Sequence, residues 1–188
     1  MLKQLAPLAL AAALAAPAAA QHMHVGIQSD PNMLDPGQSA AYVERIVFAP
    51  LCDKLVDVGP DLSLRPELAT AWSWSADAMA LTLTLRADGR FHDGGAIDAQ
   101  AVAANLERYR TARESRRRAE LAAVRAIEVD SPTQITIRLE KPFAPLVSVL
   151  ADRAGMMLSP AALAAQGARI HENPVCSGPF RFIRRVAQ

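Results

Sequence analysis

Between Leu81 and Leu85 the chain alternates leucine with threonine, and from Ile135 to Leu139 apolar residues again occupy every second position. Successive side chains of a strand point to opposite faces, so this period of two predicts two half-buried strands. A helix would place Leu81 and Leu83 on opposite sides of its axis and give no continuous stripe. Trp72 and Trp74 lie two apart and share a face of a further strand. Val124, Ile127 and Val129 lead into the turn Asp130-Ser131-Pro132. The fold must therefore satisfy a sheet with one wet and one dry face.

Helical patterns are interspersed with these strands. Tyr42, Ile46, Val47, Leu51 and Leu55 predict a helix over 40–56, which Pro50 should kink or divide because it lacks a backbone donor. Asp98 is an N-cap for a helix whose stripe is Val102, Leu106 and Tyr109. Phe143–Leu150 reads as a helix opening on Pro145, and Ser159-Pro160 starts another that runs to Gln166. Arg65–Ala69 reads as one helical turn with proline near its start. Met23, Val25 and Ile27 predict a short first strand, closed by the turn formers of Ser29–Gly37. Gly59-Pro60-Asp61, Ala87-Asp88-Gly89 and His92–Gly95 are turns, and Gly178–Phe182 is a turn into a last strand. Without a regular βαβ alternation, the mixture is α+β.

Met1–Ala20 has Lys3, an apolar run and Ala18-Ala19-Ala20, the pattern of a secretory signal peptide cut after Ala20. A retained anchor helix is the alternative, although the run is short for a bilayer. The chain has 20 basic and 19 acidic residues. With Lys3 in the leader, the remainder is balanced, which argues against nucleic acid or an anionic membrane as the main partner. An exported chain meets an oxidising compartment, so Cys52 and Cys176 suit a disulfide, with two buried free thiols as the alternative.

Several ordered motifs carry a family likeness: Leu34-Asp35-Pro36, Pro66-Glu67-Leu68-Ala69 with Trp72, Leu85-Arg86 followed by Phe91-His92-Asp93-Gly94, Pro142-Phe143-Ala144-Pro145, and Ser177-Gly178-Pro179-Phe180. Together they resemble the periplasmic substrate-binding proteins of peptide-type ABC importers, solute-binding protein family 5, which includes dipeptide, oligopeptide, nickel and glutathione binders. The resemblance implies a two-lobed type II binding fold with an extra small subdomain. Residues 1–20 would be the signal peptide, 21–48 the start of lobe I, 49–170 the small subdomain and 171–188 the return into lobe I. Family members are much longer, so the second lobe would be absent and the chain an N-terminal fragment that binds poorly alone.

The implied function is capture of a peptide or glutathione-like solute and its delivery to an inner-membrane ABC permease, by a periplasmic monomer that is not an enzyme and needs no cofactor. Asn32 and Met33, in the turn after the first strand, would border the cleft. Arg153 resembles a cleft-facing arginine, with an ion pair to Asp152 as the other reading. Gly155 would let a ligand approach the backbone, and Met156 would offer apolar surface unless it packs in the core. Arg116 and Arg117 suit a ligand carboxylate, or simply a solvated helix end.

Other polar residues read as structural. His92 and Asp93 sit in turn chemistry rather than as an acid–base pair, and Ser177 lacks a nucleophile-elbow frame. His22 and His24 have no Cys or carboxylate cluster to make a metal site. A secreted interaction module without a transport role is the competing reading. A secreted hydrolase is a third, but no nucleophile–base pair supports it.

Overall fold

A computed structural model describes residues 23–186; the expected signal peptide and His22 lie outside them. In chain order the elements are α1 (Tyr42–Leu51), β1 (Val56–Val58), β2 (Leu64–Pro66), β3 (Ala69–Trp74), β4 (Ala80–Leu85), α2 (Ala99–Thr111), β5 (Val124–Ser131), β6 (Gln134–Leu139), α3 (Leu146–Val149) and α4 (Pro160–Gln166). Single 3-10 segments occupy Arg153–Gly155 and Gly167–Glu172.

The alternating segments pair with each other. Four strands form an antiparallel sheet in the order β3-β4-β6-β5, and β1 and β2 form a separate hairpin. Leu81 faces Ile137 and Leu83 faces Ile135 across β4 and β6, while Trp72 and Trp74 lie opposite Leu83 and Leu81 on β3. The period of two thus assembles one continuous apolar face. On the opposite face Thr82 meets Thr136 with their hydroxyls 3.1 Å apart, and Thr136 donates to Asp130 at 2.7 Å.

Helix α2 lies against the apolar face and buries Val102, Leu106 and Tyr109 in the same cluster as Leu81, Leu83, Ile135 and Ile137. Each such side chain contributes roughly 1.5–3 kcal/mol by leaving water. Asp98 caps the helix by accepting the Ala101 N–H at 2.9 Å. Ser159 does the same for α4 through the Ala162 N–H at 3.2 Å, ahead of Pro160 at its start.

Asn105 and Tyr109 are one helical turn apart and hold the same neighbouring segment. Asn105 donates to Leu158 O at 2.8 Å and accepts from Leu158 N at 3.0 Å, completing the backbone pairing an adjacent strand would offer. Tyr109 donates its hydroxyl to Met156 O at 2.8 Å. Its burial pushes the phenol pKa up, so the hydroxyl stays a donor.

A second apolar cluster joins Phe48, Leu51, Met156, Leu158 and Ile170 around the Cys52–Cys176 disulfide. The two Cα atoms are 4.8 Å apart across 124 residues of sequence, and both side chains are buried. Residues 176–180 also hydrogen-bond to the end of α1, with Gly178 N–H to Leu51 O at 2.9 Å and Phe180 N–H to Pro50 O at 3.0 Å.

The structure corrects several expectations. Residues 23–27 and 181–186 form no strand, because a strand needs a ladder partner and none of the described residues supplies one. Arg65–Ala69 is not a helical turn: Val56 pairs with Pro66 in the hairpin, and Ala69 already begins β3. Helix α1 stops one residue after Pro50, so Leu55 lies outside it and Val56 begins β1. Its buried face carries Val43, Glu44, Phe48 and Leu51, whereas Tyr42 and Ile46 are exposed. Glu44 explains this rotation, since its carboxylate accepts the N–H groups of Met33, Ala40 and Ala41 at 3.0, 2.8 and 2.9 Å and pins that face inward. The helix expected from Phe143 is a single turn at Leu146–Val149, with Pro145 as its N-cap.

Candidate functional site

The loop 32–41 has few regular backbone bonds and is held by charged side chains. Asp35 is fully buried. Its carboxylate takes Arg108 of α2, with Nη1 to Oδ1 at 3.1 Å, as well as the Gly37 N–H and the Gln38 side-chain amide, each at 2.9 Å. A buried carboxylate needs such a set of donors to offset its desolvation. Gly37 packs against α2 so closely that a Cβ there would lie 2.9 Å from the Tyr109 ring. Glycine is the residue that permits this approach.

The segment after α2 docks on the same loop. Arg116 N–H donates to Gly37 O at 2.8 Å, and the Arg117 guanidinium donates to Ser39 O at 3.1 Å. Between the two segments lies an open groove of about 650 Å³, lined by Met33, Gln38, Arg113, Glu114, Ser115 and Arg116. Arg113 and Arg116 form no ion pair with other described residues. The groove therefore presents the guanidiniums of Arg113 and Arg116 and the Glu114 carboxylate beside an apolar thioether and an amide. That combination suits a ligand with a carboxylate and an apolar stem.

Behind the groove sits a second, buried pair of arginines. Arg117 is 4% exposed and Arg153 8%. Arg117 pairs with Glu120 at 2.6 Å, and Arg153 reaches Ser39 Oγ at 3.3 Å and Ala41 O at 3.4 Å. Each leaves its Nε–H buried without a hydrogen-bond partner among the described residues. Burial, and then the neighbouring Arg117, push the Arg153 pKa down. Burial likewise raises Glu120, against the pull of Arg117.

The expected site residues divide between surface and interior. Met33 and Arg116 come together on the groove, with Asn32 exposed beside Met33. Arg117 and Arg153 lie under the same loop, held by Ser39. The ion-pair reading of Arg153 has a long counterpart, with Asp152 at 3.9 Å; Asp152 is gripped instead by Arg45. Gly155 and Met156 are buried away from the groove. A Cβ on Gly155 would lie 1.8 Å from Leu150 O, so the backbone that approaches it belongs to the chain itself. Met156 packs around the disulfide with Phe48 and Leu158. Arg113 and Gln38 belong to the groove but were not anticipated. A guanidinium two positions beyond the end of α2 was the only available signal for Arg113.

The turn residues have structural partners. His92 bonds Gly178 O through Nε2 at 2.8 Å, and Asp93 bonds the Ser159 hydroxyl and the Gly95 N–H. No group of three or more His, Cys, Asp or Glu among the described residues could hold a metal ion. No helix of the described residues is long and apolar enough to cross a membrane.

The mixed helix–sheet scaffold thus presents a groove with two arginines on an ion-clamped loop. Residues 63–188 match the family described as bacterial extracellular solute-binding proteins, family 5 middle, and the chain belongs to that family. It is 34% identical over 182 residues to the glutathione-binding protein GsiB of Salmonella paratyphi A, covering 95% of this chain and 36% of that protein. It is 32% identical over 163 residues to GsiB of Escherichia coli O157:H7. The chain thus spans about a third of the length of the curated relatives it matches.

Among solved structures it resembles the PBP AgaA from A. tumefacien R10, in complex with agropinic acid. The TM-score is 0.79 at 29% identity, covering 84% of this chain and 32% of that one. The unliganded open form of the periplasmic murein tripeptide binding protein MppA shares the fold, with a TM-score of 0.77 at 23% identity and 86% and 35% coverage. The α+β architecture is the N-terminal part of this family's fold.

Proposed function

We propose that this chain supplies one wall of the solute-binding cleft of a periplasmic component of a peptide-type ABC importer, and that its solute is peptide-like or glutathione-like. The observation that carries this reading is the groove where Met33 and Arg116 meet, with Arg113 beside them and in no ion pair with other described residues. Ligand carboxylates engage Arg113 and Arg116, Met33 contacts the apolar stem, and Asn32 adds a donor and an acceptor at the rim. Arg117 and Arg153 back the loop and keep the wall electropositive. Capture is non-covalent and the solute passes on unchanged to a membrane permease, the opposing wall closing over it in the whole protein. Support comes from the family membership and from GsiB, a glutathione-binding relative.

Titration of the isotopically labelled protein with glutathione, followed by backbone amide shifts, tests the reading. Millimolar ligand should move resonances in 32–38 and 113–117, and the double variant Arg113→Ala/Arg116→Ala should abolish the movement. Absence of any shift in those segments with glutathione, dipeptides and tripeptides would sink it.

A further inference from the structure

The strap 53–55 links the disulfide end of α1 to the β1–β2 hairpin. It is bonded on both sides: Leu68 and Ala69 donate to the carbonyls of Lys54 and Leu55 at 3.0 and 2.9 Å, and Leu55 donates to Gly155 O at 2.8 Å. Lys54 also bridges to Met156. The strap therefore carries the 3-10 segment that holds Arg153.

One ammonium on this strap serves two carboxylates. Lys54 Nζ makes its hydrogen bond to Asp57 and stands 3.7 Å from Glu67 Oε2. That Glu67 oxygen is buried and has no hydrogen-bond partner among the described residues. A buried carboxylate oxygen without a donor is costly as an anion and is relieved by binding a proton. The other charges facing the cluster do not supply the missing donor. Asp53, from the strap, adds repulsion; Arg86 and His92 face Asp53, and Arg65 faces Asp57.

We propose that Glu67, Asp57 and Lys54 form a proton-binding joint, in which Glu67 takes up a proton as the pH falls and the fold gains stability. The inference stands independently of which solute the groove binds. Burial, opposed by the Lys54 ammonium and backbone N–H and reinforced by Asp57 and Asp53, raises the Glu67 pKa from 4.5 to about 7. The sign follows from linkage. A carboxyl that holds its proton more tightly when folded stabilises the fold at low pH, and that stability is lost as the pH rises from about 4.5 through about 7.

Two measurements decide it. The thermal midpoint of the wild-type chain should fall by about 5 °C between pH 5.5 and 8.0, and Glu67→Gln should remove most of that fall by making the joint permanently neutral. Carboxyl-carbon NMR of the unmodified protein assigns the proton directly, separating Glu67 from His24, His92 and His171, and needs no folded variant. Titration of Glu67 near neutrality supports the joint. Titration together with the ordinary surface carboxylates, or an unchanged pH profile in Glu67→Gln, overturns it.

Discussion

Arg108, in the last turn of α2, grips the carboxylate of Asp35, which lies 73 residues earlier in sequence and is fully buried. This pair sets the position of the loop bearing Met33 and Gln38. Removing one partner leaves the other charge buried and unpaired, which typically costs about 3–5 kcal/mol. Arg108→Met should therefore lower the urea midpoint strongly and open 33–39 to proteolysis before the rest of the chain. Protection of that loop equal to wild type would show that Glu44 suffices alone.

Gly155→Ala should be among the most damaging single-methyl additions in the protein. The new Cβ would sit 1.8 Å from Leu150 O, a backbone atom that cannot rotate away. A loss of about 3 kcal/mol or more is expected in chemical denaturation. An alanine variant of wild-type stability would mean that the 150–156 turn rearranges freely.

The disulfide closes a long loop. In the chain-entropy picture, a bridge spanning 124 residues stabilises the fold by roughly 4–5 kcal/mol. Thiol labelling of the denatured, unreduced protein should find no free cysteine, and Cys52→Ala/Cys176→Ala should unfold far more readily. Because both side chains are buried, reductant without denaturant should act slowly. Two labelled thiols in the unreduced protein would contradict the bridge.

Groove occupancy on the isolated chain should be weak. Binding stabilises by RT ln(1 + [L]/Kd), so a millimolar ligand near its own Kd adds only about 0.4 kcal/mol. Dipeptides and tripeptides should raise the melting temperature by no more than about 1–2 °C. A rise of several degrees would show that this wall alone forms a complete site.

Much of the architecture could be read from the residues, because its determinants are local. The strands β4 and β6 follow from a period of two, and α2 and α4 follow from the capping oxygens of Asp98 and Ser159. Local pattern misleads where distant residues decide. Tyr42 and Ile46 fit a helical stripe, yet Glu44 turns that face outward by binding three backbone N–H groups. Pro66 looked like a helix start, but Val56 recruits it into a hairpin. Residues 23–27 have strand periodicity and lack a partner strand. The site was legible as residue types only. The arginines stood out, but exposure separates Arg116, on the groove, from Arg117, beneath it. Asn105 gave no signal, since its role exists only once Leu158 lies beside it.

Within two turns of one helix, Asn105, Arg108 and Tyr109 each hold something different: the 158 backbone, the Asp35 loop and the 156 backbone. The groove-bearing loop and the stretch behind Arg153 are consequently indexed to a single rod. Displacement of either must drag α2, so the two stretches move in concert and their spacing is kept constant.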